Sequence, residues 1–219
     1  MSGDDSTSAN ADLSVLANLR SGLANAVGVT DFGDQAVILP LAVGIALVLA
    51  LSGWRRGALA WTAAIGGTLA LVLFLKLRFF ACGHFLPGDS VSNPSGHTAA
   101  AAAVYGGLVA MILRSIWDDT RWALSCAVTI GVLLAVVIGK SRLMLDLHSM
   151  AEVVVGGAIG VGGAVSFVVL AGPPSHAVRI ERVVVTGLLV IAMLYGFRFS
   201  AEAAIKSVAT SLWPFSQCI

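Results

Sequence analysis

Six stretches of the chain are almost continuously apolar, and polar residues collect in the intervals between them. The six windows are residues 35–53, 57–75, 96–114, 121–139, 151–172 and 180–198. Each is close to the roughly 20 residues that a helix needs to cross the hydrocarbon core of a bilayer. Tryptophans 54, 61, 117 and 122 lie near window ends, where indole rings anchor helices at the interface. The pattern predicts an all-α, polytopic membrane protein with a bundle of six transmembrane helices.

The two ends of the chain are more polar than the windows. Residues 1–34 predict a disordered lead followed by a short helix lying at the membrane surface. The tail 199–219, with its Trp-Pro-Phe sequence, is expected to be interfacial too, and so is a short helix in the loop before the third span. This divides the chain into an interfacial N-terminal segment (1–34), a six-span domain (35–198) and a C-terminal tail (199–219). No signal peptide is predicted, because no basic region precedes an apolar core near the N-terminus.

The composition supports a bilayer as the solvent of this chain. Hydrophobic residues make up 58% and charged residues only 11% of the 219 positions, and the mean hydropathy is +0.92. A net charge of +1 excludes electrostatic attraction to nucleic acid. The cysteines at 82, 126 and 218 are odd in number and lack metal-ligand spacing, so neither a disulfide framework nor a zinc site is expected.

With six spans, the connecting loops alternate between the two sides of the membrane. The long polar loops 76–95 and 140–150 fall on the side of both termini, and only short connections lie opposite. Seven lysines and arginines lie on the side of the polar loops and six on the opposite side, and the seven become five without the candidate site residues Lys76 and Arg142. The six on the opposite side lie next to helix ends. Because helix-proximal charges decide orientation, both polar loops are expected to face away from the cytoplasm, in a cell (cytoplasmic) membrane.

The first candidate for chemistry is the sequence Asn-Pro-Ser-Gly-His-Thr at residues 93–98. A helix beginning near Ser95 presents unpaired N–H groups and the positive end of its dipole, which together bind anions such as phosphate. Ser95 adds a hydroxyl, Gly96 lets an oxyanion approach the backbone, and His97 can move a proton near neutral pH. An ordinary turn that starts a helix is the alternative interpretation.

The second candidate lies at residues 141–152, which run into the fifth window. His148 and Glu152 are four residues apart and share one face of a helix, whereas Asp146 points elsewhere, so Glu152 is the expected imidazole partner. Arg142 offers a planar fork of donors for phosphate oxygens. Capping charges in a hydrated loop are the alternative, but ionisable groups near membrane depth are usually functional. Lys76, at the end of the second window, is a candidate for the same site. The alternative is an anchor whose ammonium group snorkels to the membrane interface.

Small residues dominate residues 156–163, which read Gly-Gly-Ala-Ile-Gly-Val-Gly-Gly. Their spacing permits two helix backbones to approach closely. We interpret this stretch as a packing surface without chemistry of its own.

Together, Pro94-Ser95-Gly96-His97, Ser141-Arg142 and His148 resemble the type 2 phosphatidic acid phosphatase superfamily. Its signature is a Lys…Arg-Pro block, then Pro-Ser-Gly-His, then Ser-Arg-x5-His-x3-Asp, in a six-span layout. The resemblance covers roughly residues 76–152. Two positions depart from it. Glu152 stands for the final Asp, and Gly83 stands where the first block has Arg, so that Arg78 or His84 would have to supply the missing donor.

The resemblance implies a membrane enzyme that removes phosphate from a lipid. His148 would attack phosphorus and form a phosphohistidine, His97 would protonate the departing oxygen, and Glu152 would orient His148. The phosphate oxygens would be held by the remaining residues of the three blocks, namely Lys76, Ser95, Gly96 and Arg142. Arg78 is a further candidate. No metal and no cofactor are implied. Candidate substrates are undecaprenyl pyrophosphate, phosphatidic acid and phosphatidylglycerol phosphate.

Two other functions remain open at this point. A lipid phosphotransferase of the same fold would pass the phosphoryl group to an acceptor other than water. A non-enzymatic transporter or assembly protein would show no turnover, although transport usually leaves paired repeats or broken helices that this sequence lacks. The sequence indicates no particular oligomeric state.

Overall fold

The computed structural model describes residues 4–82, 93–117, 119–174, 178–199 and 201–212. Within these ranges the chain forms eight α-helices and the all-α prediction is confirmed. The helices are α1 (Asp4–Asp31), α2 (Gln35–Leu51), α3 (Arg55–Cys82), α4 (Gly96–Trp117), α5 (Thr120–Met144), α6 (Met150–Ala171), α7 (Ile180–Leu194) and α8 (Ala201–Leu212).

The predicted number of six membrane spans is not confirmed. Five segments of the described chain are long and apolar enough to cross a membrane: 17–51, 55–80, 96–117, 120–144 and 150–171. The sixth window, 180–198, contains α7, which is only 15 residues long. Helix α7 ends before Gly196, whose φ of 86° is left-handed. At 1.5 Å per residue such a helix reaches about 22 Å, less than the roughly 30 Å of a hydrocarbon core.

The N-terminal segment differs from its prediction. A single helix of 28 residues, α1, replaces the expected disordered lead and short surface helix. The polar composition did not prevent a helix because the segment contains no proline to interrupt it. At the C-terminal end, α8 has 12 residues. The helix expected before the third span falls in 83–92, outside the described residues.

Helix α4 lies at the centre of the bundle, packed against α3, α5 and α6. Its residues Ala99–Ala103 are almost completely buried. A Cβ added at Gly156 or Gly160 of α6 would collide with the backbone at Ser95 or Ala99, respectively. The small residues of α6 therefore allow α4 and α6 to pack backbone against backbone, as predicted, since close approach replaces hydrophobic driving force between membrane helices.

A second packing centre joins α2, α3 and α6. The indole Nε1 of Trp61 donates a hydrogen bond to the Ala42 carbonyl at 2.9 Å, and its ring meets Phe167 edge to face at 5.1 Å. Large side chains on the outer faces, such as Leu133 and Leu188, stay exposed. An apolar exterior around a well-packed interior is the arrangement expected when lipid surrounds the bundle.

Contacts between distant segments gather the functional ends of the helices at one end of the bundle. The Ser95 N–H donates to the Glu152 carbonyl at 3.0 Å, and Arg142 Nη1 donates to Thr30 Oγ1 at 3.3 Å. Lys76, at the C-terminal part of α3, reaches Asn93 beside α4. The end of the first polar loop therefore lies beside the start of α6, which directly follows the second polar loop.

Candidate active site

His148 is held by the cap of helix α6. Ser149 and Glu152 form a capping box, in which each side chain accepts a hydrogen bond from the other's backbone N–H. The same carboxylate accepts from His148 Nδ1 through Oε2 at 3.0 Å, and from the Asn93 N–H through Oε1 at 3.0 Å. Because a carboxylate only accepts, Nδ1 carries the proton and Nε2 is left with its lone pair.

The surroundings of His148 favour the neutral ring. Its side chain is only 1% exposed. Burial lowers the pKa of His148 below its ordinary value. The charges of Lys76 and Arg142 act in the same direction, and the hydrogen bond that His148 donates to Glu152 opposes them. A neutral imidazole with a fixed tautomer is the state required of a nitrogen nucleophile.

His97 is the second residue of helix α4 and faces the turn between α1 and α2. Its Nε2 lies 3.4 Å from Oδ2 of Asp34, the residue that caps α2 by accepting from the Ala36 N–H. A Cβ at Gly33 would lie 3.0 Å from the His97 carbonyl oxygen, so glycine lets this turn press against the start of α4. The second predicted histidine thus also has a carboxylate partner, supplied from another part of the chain.

Two buried cations face the same region. Lys76 is 6% and Arg142 is 7% exposed. Lys76 Nζ donates to Asn93 Oδ1 at 2.7 Å and lies 3.5 Å from Glu202 Oε1. The Nε of Arg142 is buried and meets no acceptor within the described part of the chain. Since a buried polar group of a cation needs an acceptor, the Nε of Arg142 makes this end of the bundle suited to receive an anion.

A cavity of about 580 Å³ joins these groups. Five of the predicted site residues line it, namely Lys76, Gly96, His97, Arg142 and His148, together with the acidic residues Asp34 and Glu202. The rest of the lining is mostly apolar and includes Leu39, Leu69, Val72, Leu73, Phe199 and Ile205. The cavity therefore has a charged end, at the starts of α2 and α4, and an apolar wall formed by α2, α3 and the α8 region.

Two predicted phosphate ligands do not line the cavity. The Ser95 hydroxyl is completely buried and lies 2.8 Å from the Thr98 hydroxyl, inside the cap of α4. Arg78 follows Lys76 by two residues on α3, and residues so spaced do not face each other on a helix. Glu152, the third predicted catalytic residue, contacts His148 from behind the cavity. The other candidate donor, His84, lies outside the described residues.

Sequence reasoning missed three polar residues of this region: Asp34, Asn93 and Glu202. One signal was available for Asp34, because the start of the first window lies on the same side of the membrane as the two polar loops. Asn93 stands directly before the Pro-Ser-Gly-His block, where its side chain could have been considered. Nothing in the sequence pattern pointed to Glu202, whose place depends on how α8 folds back against α3.

Glu202 places a negative charge beside the cations of the cavity. Its side chain is 48% exposed, and Oε1 accepts from the Asn93 amide at 2.7 Å. Burial opposes ionisation of Glu202, but the charge of Lys76 and the hydrogen bond from Asn93 outweigh it and lower its pKa below the ordinary value. The carboxylate is therefore ionised at neutral pH and occupies a position next to Lys76.

The charged end of the cavity has the composition of an oxyanion site more than that of a cation site. Among the described residues, no group of three or more His, Cys, Asp and Glu side chains is arranged to hold a metal ion. The groups that converge are two imidazoles, an ammonium, a guanidinium and the first N–H groups of a helix. These groups bind phosphate oxygens and transfer protons.

Comparison with known proteins agrees with this description. The family model described as PAP2 superfamily matches residues 62–173, which include α4, α5, α6 and most of α3. An uncharacterized 22.5 kDa protein in the cps region of Klebsiella pneumoniae is 29% identical over 204 residues, which is 86% of this chain and 92% of that protein. No solved structure matches the chain.

Proposed function

Because the chain belongs to the PAP2 superfamily, we propose that it is an integral membrane phosphatase that hydrolyses a lipid phosphate or pyrophosphate through a phosphohistidine intermediate. One observation carries the proposal. His97 and His148 line the same cavity as Lys76 and Arg142, so this cavity offers a phosphoryl group a nucleophile, an acid and two cations.

His148 is the nucleophile in this proposal. Its Nδ1 is occupied by Glu152 at 3.0 Å, so Nε2 attacks phosphorus and an N–P bond forms as the P–O bond to the lipid breaks. Glu152 stabilises the positive charge that develops on the ring and keeps the tautomer fixed. The hydrogen bond between His148 and Glu152, which is part of the cap of α6, therefore also orients the nucleophile.

His97 is the general acid. It donates a proton to the departing lipid oxygen, then removes one from the water that cleaves the phosphohistidine, as microscopic reversibility requires. Lys76 and Arg142 hold the phosphoryl oxygens while charge shifts in the transition state. The N–H groups at the start of α4, beginning at Gly96, add helix-terminal donors, and Ser95 contributes by capping that helix.

The apolar wall of the cavity supports a lipid substrate. Leu39, Leu69 and Leu73 line it beside the charged residues, so a hydrocarbon chain can stay in contact with α2 and α3 while its phosphate reaches the histidines. We also propose that the site faces away from the cytoplasm, and on that basis we favour a carrier-lipid pyrophosphate such as undecaprenyl pyrophosphate over phosphatidic acid or phosphatidylglycerol phosphate.

The test is release of inorganic phosphate from purified protein in detergent with EDTA present. A panel of lipid phosphates and pyrophosphates is supplied one at a time, and His148→Ala serves as the inactive control. We expect phosphate from at least one lipid with the wild-type chain and none with the variant. Absence of turnover on every lipid would contradict the proposal and favour a non-enzymatic role. Release that requires an added acceptor would indicate a phosphotransferase instead.

A further inference from the structure

The carboxylate of Asp34 divides its contacts between its two oxygens. Oδ1 accepts from the Ala36 N–H at 2.9 Å and from the Phe199 N–H at 3.0 Å. Oδ2 lies 3.4 Å from His97 Nε2. One oxygen therefore holds the start of α2 and the segment before α8, and the other is directed at a histidine of the cavity.

From this division we infer that Asp34 is a positioning residue for His97, which holds the ring through Nε2, favours its protonated form and presents its Nδ1 to the leaving oxygen. The inference rests on the function proposed above. It assigns a role to a residue outside 62–173, the part of the chain that the family model matches. The partner of His97 is thus supplied by the N-terminal part of the chain and not by the matched region.

The charges around His97 explain why a carboxylate is needed there. The charged groups that act on the ring are Asp34 from the α1–α2 turn, Arg142 from α5 and Lys76 from α3. The two cations repel a positive charge on the imidazole. Asp34 is the anion that opposes them, and with only 7% of its side chain exposed its charge is weakly screened by solvent.

The geometry also selects the nitrogen that transfers the proton. With Nε2 directed at Asp34, Nδ1 is the ring nitrogen available to a substrate. As the P–O bond breaks, the Nδ1 proton moves to the departing oxygen, and the ring becomes neutral while Asp34 stays ionised. In the second half, Nδ1 takes a proton from water as the oxygen of that water attacks phosphorus and the N–P bond to His148 breaks.

The variant Asp34→Asn separates the two functions of the side chain. Asparagine keeps Oδ1, so it can still cap α2 and accept from Phe199, and it is among the favoured N-cap residues. In place of Oδ2, asparagine has an NH2 group, which donates hydrogen bonds and cannot accept one from the protonated His97 ring. The matched control is Asp31→Asn in the same turn, where Asp31 pairs with Arg198 at 2.7 Å instead of with His97.

The discriminating measurement compares leaving groups. Two phosphate monoesters with the same alkyl chain are used, one releasing an alcohol and the other a nitrophenol. Because nitrophenolate departs without protonation, only the alcohol needs a general acid. For Asp34→Asn we expect kcat/KM to fall about 10²-fold on the alkyl ester and less than about threefold on the nitrophenyl ester. Asp31→Asn should leave the ratio between the two esters unchanged.

Equal losses on both esters would show a structural role and overturn the inference, as would no loss on the alkyl ester. A second measurement does not depend on turnover. In protein labelled with ¹³C-histidine, NMR should show the His97 ring losing its proton at a lower pH in Asp34→Asn than in wild type or Asp31→Asn. The same titration midpoint in all three would overturn the inference. If instead the wild type hydrolyses neither ester and the His97 shift is present, the proposed function fails while the pairing stands.

Discussion

The Nδ1 of His148 lies 3.0 Å from Oε2 of Glu152, four residues further along the chain. The same oxygen accepts the Ser149 N–H at 3.1 Å and so closes the cap of α6. The other oxygen accepts the N–H of Asn93, next to the start of α4. One carboxylate thus holds the proposed nucleophile, the start of α6 and the residue Asn93, which lies just before the helix of the proposed acid.

The first prediction concerns this carboxylate. Glu152→Gln keeps an oxygen for the cap but removes the charge that stabilises the ring of His148 in the transition state. We expect kcat to fall about 10²- to 10⁴-fold with a small change in KM. Glu152→Asp, which retains a carboxylate, should lose less. Asp119→Asn alters a helix cap at Arg121, away from the cavity, and should behave as wild type; unchanged kcat in Glu152→Gln would contradict the assignment.

The second prediction is the acid limb of the pH profile. Below its pKa the His148 ring is protonated at both nitrogens, so Nε2 has no lone pair and activity is lost as the pH falls. Burial lowers the pKa of His148, so the midpoint of this limb in kcat/KM should lie below about 6.5, the ordinary value. Loss of the His97 proton should produce an alkaline limb. Rates measured from about pH 4.5 to 9 test this, and a flat profile would count against both roles.

The third prediction uses Glu202 as an internal competitor for the phosphate site. Its ionised carboxylate lies 3.5 Å from Lys76 Nζ, where a phosphate oxygen would bind. Glu202→Gln removes this repulsion, so the inhibition constant for vanadate should fall about three- to tenfold. Glu181→Gln, which changes an exposed carboxylate on α7, is the control. Weaker vanadate binding in Glu202→Gln would mean that the carboxylate supports the site.

The fourth prediction compares two cations on α5. Arg142 is buried and lines the cavity, whereas Lys140 is exposed and does not. Arg142→Ala removes a donor to the transition state and should reduce kcat about 10²- to 10³-fold. Lys140→Ala should have no measurable effect. Phosphate release from the preferred lipid measures both, and equal effects would remove Arg142 from the site.

Much of the central bundle could be predicted because its sequence signals are local. The windows 96–114, 121–139 and 151–172 gave α4, α5 and α6. The contact between His148 and Glu152 was predicted too, but the predicted shared helix face was wrong, because His148 precedes the N-cap residue Ser149 and lies outside α6. Helices α1 and α7 could not be read in the same way. Polar composition hid the helicity of α1, and the end of α7 depends on a left-handed Gly196 inside an apolar window.

The contacts that sequence reasoning missed are long-range. His97 and Asp34 are 63 residues apart, and Asn93 and Glu202 are 109 apart. Such pairs depend on how the α1–α2 turn and α8 fold against the bundle. The pattern of apolar and polar residues along the sequence carries no information about that packing. Ser95 was predicted to bind phosphate because it belongs to the Pro-Ser-Gly-His motif. Its hydroxyl instead lies inside the cap of α4 and does not line the cavity.

The central claim is a covalent intermediate on His148. It is tested most directly with the variant His97→Ala and a nitrophenyl lipid phosphate carrying a labelled phosphoryl group. Nitrophenolate leaves without an acid, whereas cleavage of the phosphohistidine still needs a base, so the intermediate should accumulate. Mass spectrometry after an alkaline quench should then find the label on His148, at Nε2, and none in a variant that also carries His148→Ala. Label on another residue, or turnover that persists without His148, would contradict the account.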